Sequence, residues 1–335
     1  MCAHIHAYRE RWPIAGGFSI ARGSKEAAEV VVAEITAGTL TGRGEGLPYP
    51  RYDQTPDGSV NEIKRFESMR GSDPVTRHEL AHKMAPGAAR NALDCALWDL
   101  QAQQEDQSVW RLAGLPPPRP VSTAYTISLD TPEHMQAAAE ANQHRPLLKV
   151  KLGWRDDDEQ RLRAVRRGAP NARLIVDANE GWSFDALRVM APVAADVGVE
   201  LIEQPLPADA DAVLANYRSP VALGADESMT AQEPLTELAS RYQVVNLKLD
   251  KTGGLTQAIA TKREAEALGL GVMIGCMVAT SLAMAPALLL ATDAPFVDLD
   301  GPLLLAEDRQ PGLVYDESLV SFPSDPFWGN VQCSE

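Results

Sequence analysis

LIVDAN at 174–179, VELIEQP at 199–205 and ALGADES at 222–228 are three short apolar runs, each ending around an acid. The acids, Asp177, Glu203 and Asp226, are 26 and 23 residues apart. Such steps fit one strand, one helix and two loops, so the three acids are expected at equivalent ends of successive parallel strands. Carboxylates converging on one rim cannot all remain charged and unpaired, and a hard divalent cation is the natural occupant.

The period continues on both sides. LLKVKLG (147–153) lies one step earlier, while VVNLKLD (244–250), GVMIGCM (271–277) and APFVDLD (294–300) follow, and VSTAYTISL (121–129) opens the series. Between these eight runs, stretches such as DEQRLRAVRRGA (158–169) and LTQAIATKREAEALG (255–269) have the apolar spacing of amphipathic helices. The expected fold is α/β, a modified (β/α)8 TIM-type barrel over 119–315, with its active site at the C-terminal ends of the strands.

Residues 1–118 read as a separate α+β unit. VVVAEI (30–35) looks like a strand, and IKRFESM (63–69) and APGAARNALDCALWDLQAQ (85–103) look like helices. GRGEGLPYPRYDQTPDGS (42–59) reads as a loop by composition, and GLPPPRP (114–120) as a stiff domain boundary.

Bulk properties narrow the function. The chain has 335 residues, 45% of them hydrophobic, and a formal net charge of −15, which argues against nucleic acid or anionic membrane as partner. No apolar run reaches membrane-spanning length, and the opening MCAHIHAYRERWPI does not read as a signal peptide. Cys2, Cys95, Cys276 and Cys333 show no paired spacing, as expected of reduced thiols in a cytoplasmic protein. The expected partner is a small molecule, and assembly as a homo-oligomer stays open.

One competing motif stands in the first unit. His78-Glu79-Leu80-Ala81-His82 matches H-E-x-x-H, the zinc metallopeptidase signature. Pro86 would end its helix within about a turn, whereas such a site needs a sustained helix, so a short polar surface helix is the preferred reading.

The lysines bear on the reaction. Lys149 and Lys151 are two apart on one strand and therefore point to the same side, which in a barrel can be the interior. Lys248 lies one repeat beyond Asp226, so the order along the rim is Lys, Asp, Glu, Asp, Lys. Bases on both flanks of a bound metal are what two-sided proton transfer at one carbon requires.

The motifs KVKL (149–152), VDANEGW (176–182), IEQPL (202–206), ADES (225–228) and NLKLDKTGG (246–254) resemble the enolase superfamily in its muconate-lactonising branch. IGCM (274–277) and Asp298-Leu299-Asp300 resemble the dipeptide epimerases of that branch. The resemblance implies Mg2+ held by Asp177, Glu203 and Asp226, with Lys151 and Lys248 as acid and base on opposite faces of the substrate α-carbon. It implies Lys149 as an accessory lysine, and Asp298 and Asp300 as the residues that hold the ammonium of a dipeptide. It further implies that the first unit caps the barrel and that 316–335 returns to that cap.

Within the dipeptide epimerases the resemblance points first to L-Ala-D-Glu and L-Ala-L-Glu, as in peptidoglycan recycling. A distal glutamate carboxylate needs a cation. IAGGFSIARGSKEA (14–27) reads as a capping loop hinged at Gly16 and Gly17, and it carries Arg22, the chosen carboxylate ligand, and Lys25. Other reactions of the branch remain as alternatives: N-acyl-amino-acid racemisation, o-succinylbenzoate synthesis and muconate cycloisomerisation.

Overall fold

The computed structural model describes residues 3–20, 23–71, 74–153 and 157–331. Strands β1 (His4–Ile20), β2 (Gly23–Ala37) and β3 (Leu40–Gly46) form an antiparallel sheet in that order. Helices α1 (Pro56–Arg70) and α3 (Ala88–Glu105) pack against it, and α2 (Arg77–Lys83) packs against α3.

Two loop expectations are corrected here. The glycine-rich start of 42–59 is strand β3, not loop. Its glycines alternate so that Gly42, Gly44 and Gly46 all face α3, where Ala88, Ala92 and Ala96 recur every fourth residue. A Cβ on any of the three would lie 2.2 Å from the carbonyl oxygen of Ala96, Ala92 or Ala88 respectively. Glycine marks a strand on which a helix backbone sits directly, rather than a break in the chain. The stretch 14–27 is likewise largely strand. β1 runs to Ile20, and β2 begins at Gly23, with an irregularity between Pro13 and Phe18.

β4 (Val121–Ser122) leads into the barrel, whose strands are β5 (Tyr125–Ile127), β6 (Leu147–Lys151), β7 (Arg173–Asp177), β8 (Val199–Glu203), β9 (Ala222–Ala225), β10 (Val244–Leu247), β11 (Gly271–Gly275) and β12 (Phe296–Asp298). They pair in sequence order, and every pair is parallel. The seam between β12 and β5 is closed by the Ala124 N–H on the Val297 carbonyl (2.8 Å) and the Leu299 N–H on Thr123 Oγ1 (2.7 Å). A final hairpin, β13 (Val314–Asp316) and β14 (Leu319–Ser321), pairs onto β4. Beyond it, Trp328, Gly329 and Asn330 bond to Arg43, Asp99 and Ala102 of the first unit.

Inside the barrel the strands supply a plug of apolar side chains. Leu147, Ile175, Leu201, Val244 and Met273 form it with Ala124, and Ala222 and Phe296 pack against them. Side chains alternate along a strand, so the next inward positions lie two residues on, and the next tier four residues on. Two steps above the plug stand Lys149, Asp177, Glu203, Asn246 and Asp298, and four steps above it Lys151, Asp226, Lys248 and Asp300. Each inward polar residue therefore sits on a floor that keeps water from below.

Gly44→Ala is expected to force β3 and α3 apart and to lower unfolding free energy by about 1–3 kcal/mol or more, measured by urea denaturation. Stability equal to the parent would contradict the packing described.

Candidate active site

The strand register brings the carboxylates together. Lys151 pairs with Asp177 and Asp177 with Glu203, on three adjacent strands, and Asp226 lies just past the end of β9. All three acids are buried, and one oxygen from each lies within 4.8 Å of the others. Among the described residues no other group of three or more His, Cys, Asp or Glu side chains gathers in this way.

Lysines compensate this charge. Lys149 Nζ lies 2.6 Å from Glu203, 2.8 Å from Asp298 and 3.1 Å from Asp177. Lys151 donates to Asp177 Oδ2 at 2.7 Å and Lys248 to Asp226 Oδ2 at 2.6 Å. Burial opposes the charge of Lys149 and of Lys248, yet Asp298 and Glu203 outweigh it for Lys149, and Asp226 for Lys248, so both pKa values are raised. Asp177 and Asp226 are held below the usual carboxylate range. Burial works against them, but Lys151 and Lys149 outweigh it for Asp177, and Lys248 and Lys251 for Asp226. Glu203 moves the other way, pushed up to about 7 by burial and by the charge of Asp177. An all-oxygen, buried, mutually repelling donor set of this kind fits a hard divalent cation.

Second contacts fix the acids. Asn246 Nδ2 donates to Glu203 Oε1 at 2.7 Å, and Gly275 leaves the room, since a Cβ there would lie 2.3 Å from Asn246 Oδ1. The Asn179 N–H donates to Asp177 Oδ1 at 2.9 Å, and Gln204 Oε1 accepts the Asp226 N–H at 2.9 Å. The sequence assigned no role to Asn246, although it lies two residues before Lys248 on the same inward face, nor to Gln204 and Lys251, which lie off that alternation.

A cavity of about 1020 Å³, open to solvent, lies over these groups. Lys149, Lys151, Asp226, Lys248, Asp298 and Asp300 line its floor, and Lys25, Tyr49 and Tyr52 of the first unit line its roof. Lys25 Nζ sits 4.6 Å from the centre of the Tyr49 ring. Arg22 lies outside the described residues.

The ring order sets directions. In a closed ring of eight strands, β6 and β10 are four apart and face one another, so Lys151 and Lys248 stand across the mouth. By the same count β8, with Glu203, faces β12, with Asp298 and Asp300. The acid triad and the Asp298–Asp300 pair thus mark one axis, and the two lysines mark the axis that crosses it. Asp298 Oδ1 is buried without a hydrogen-bond partner, and Asp300, which accepts the Thr126 N–H at 2.8 Å, is pushed up to about 7 by burial and the neighbouring Asp298.

The zinc motif does not assemble a site. α2 spans 7 residues and ends before Pro86, and His78 and His82 are exposed and bond to each other at 3.0 Å. No helix among the described residues is long and apolar enough to cross a membrane.

Comparison with known proteins agrees with this geometry. Residues 3–114 match the mandelate racemase / muconate lactonizing enzyme N-terminal domain, and residues 131–326 match the enolase C-terminal domain-like family. The chain is 44% identical to an L-Ala-D/L-Glu epimerase of Escherichia coli K12, covering 93% of this chain and 97% of that one. It is also 44% identical to an N-acetyl-D-glutamate racemase of a Pseudoalteromonas species, covering 91% and 97%. A crystal structure of an enolase family member from Agrobacterium tumefaciens with homology to dipeptide epimerases, holding sodium and L-Ala-L-Glu with an ordered loop, superposes with a TM-score of 0.94 at 51% identity, covering 98% of this chain and 100% of that one. The chain is an isomerase that belongs to the mandelate racemase and muconate-lactonising family of the enolase superfamily, among its dipeptide epimerases.

Proposed function

We propose that this enzyme inverts the α-carbon of the C-terminal residue of a dipeptide, first of all interconverting L-Ala-D-Glu and L-Ala-L-Glu, with Mg2+ as cofactor. The observation that carries the reading is the crossed arrangement of acids and lysines. A dipeptide has a carboxylate at one end and an ammonium at the other, which suits the axis from the acid triad to Asp298 and Asp300. Its α-carbon then falls between Lys151 and Lys248.

Asp177, Glu203 and Asp226 would hold Mg2+, the small hard cation that an all-oxygen site favours. Bound there, it supplies positive charge beside the substrate carboxylate as the α-proton leaves. Lys151 and Lys248 exchange roles: one takes the proton from its face, and the other, still charged, returns a proton to the opposite face. Lys149 holds the carboxylates of the two ends in register. Residues 1–118, together with the C-terminal segment from 316, whose Trp328, Gly329 and Asn330 reach back to them, would act as the cap that keeps water out.

The division of labour is testable by α-proton exchange in D2O. Lys248→Ala should block inversion yet retain exchange of one epimer, and Lys151→Ala should retain exchange of the other. Equal residual exchange of both epimers by each variant would contradict the two-base scheme.

N-acyl-amino-acid racemisation is the second reading, favoured by the similarity to the N-acetyl-D-glutamate racemase. The unpartnered Asp298 Oδ1 speaks for an amine donor instead. Asp298→Asn should cost on the order of 1.5–3 kcal/mol in kcat/KM for a free dipeptide. N-acetyl-glutamate and an N-acetylated dipeptide should react far more slowly than L-Ala-L-Glu in the parent. Undiminished rates on the acylated compounds would make racemisation the better reading.

Arg22 is proposed to take the distal glutamate carboxylate, because its planar fork suits bidentate binding. Comparison of L-Ala-L-Glu with L-Ala-L-Leu, L-Ala-L-Phe and L-Ala-L-Lys should show a preference for Glu that disappears in Arg22→Ala. Preference for an apolar or cationic second residue in the parent would move the substrate away from L-Ala-Glu.

A further inference from the structure

Asp177 meets Lys149 and Lys151 through Oδ2, whereas Asp226 takes a different lysine on each of its two oxygens. Lys248 takes its Oδ2, and Lys251 takes its Oδ1 at 2.6 Å. Lys251 also donates to the Asp226 main-chain oxygen at 2.5 Å and to the Asn246 carbonyl at 3.1 Å. An ammonium has three donors, and these three contacts use them all. Lys251 is buried, and it does not line the cavity, whereas Lys248 does. It sits in the short helix Leu249–Thr252 that follows β10, beyond the alternation that turns Lys248 inward.

We propose that Lys251 is a positioning residue for the metal site, clamping Asp226 by its Oδ1 and main-chain oxygen so that Oδ2 is presented to the cation while Lys248 is released to the substrate. The two lysines on Asp226 then have unlike tasks. Lys248 needs to leave its contact to face the α-carbon, and Lys251 remains and keeps the carboxylate oriented and partly neutralised. Without Lys251, Asp226 would keep Lys248 as its sole lysine partner, and a variant should lose metal affinity and the Lys248 half of the reaction together. This inference rests on the two-lysine, metal-assisted reading above.

The test uses the full chain freed of metal. Mg2+ alone is titrated by calorimetry into the parent, Lys251→Met, Lys251→Gln and Lys251→Arg, with thermal melting to establish folding, and α-proton exchange of L-Ala-L-Glu and L-Ala-D-Glu is followed separately in D2O. Removing a group that orients a metal ligand typically costs roughly 10- to 100-fold in affinity, and that loss is expected for the Met and Gln variants, with partial recovery in the Arg variant. Exchange of the two epimers should fall unequally, the larger loss being on the face that Lys248→Ala also loses. Mg2+ affinity unchanged from the parent in the Met variant overturns the proposal, and if that variant does not fold, the Gln variant carries the same criterion. Equal loss on both faces also overturns it. A parent that binds Mg2+ but exchanges neither epimer overturns the proposed function and leaves Lys251 to be judged by the titration, whereas a parent that binds no Mg2+ overturns both.

Discussion

Lys149 Nζ reaches Asp177, Glu203 and Asp298 at once, so a single buried ammonium links the two ends of the cavity floor. Burying charge is expensive unless each group meets an opposite one, and the mouth of this barrel meets that condition by flanking three successive acids with lysines on both sides. The condition fixes much else. The apolar plug must lie below, the strands must keep register so that Lys151, Asp177 and Glu203 stand level, and small residues such as Gly275 must leave space for the groups that hold the acids. Within the triad Glu203 alone is pushed up, to about 7, as suits a site with room for further positive charge.

The barrel was legible because its information is periodic. Eight apolar runs at a steady step specify strands, and inward residues two apart mark Lys149 with Lys151, whereas Asp298 with Asp300 stood out through the resemblance to the dipeptide epimerases. The cap was less legible because its packing uses absence. Gly42, Gly44 and Gly46 look like loop punctuation in sequence, yet they are the face on which α3 rests. β1 was missed for a related reason: HIHAYRERWPIAGGFSI mixes charges, a proline and two glycines, and only its pairing with β2 reveals a strand. Lys251 lies off the inward alternation, whereas Asn246 shares it with Lys248 and the two-residue step could have found it.

The cap is tied to the barrel beside the reacting groups. Arg90 donates to the carbonyls of Thr252 and Gly253, Asp94 accepts from Thr256, and Asn91 and the Leu47 N–H share Asp250. These contacts all fall on the loop that follows Lys248. On the other flank Glu45, from β3, accepts from Thr280 and Arg309. The helix that packs on the glycine strand therefore also steadies the loop after β10, which couples the roof of the cavity to one side of its floor.

The seam between the first and last barrel strands has a consequence for how the enzyme comes into being. Asp300, expected to meet the substrate amine, also accepts the Thr126 N–H across that seam, next to the Ala124 and Leu299 contacts. A nascent chain grown to just past β9 already contains Asp177, Glu203 and Asp226, but it has neither Lys248 nor the strand that shuts the ring. Asp300 thus belongs both to the clasp and to the proposed amine site. Docking of the last strand therefore completes the proposed amine site, and local opening of the clasp would disturb it first, leaving the acids on β7, on β8 and just past β9 standing.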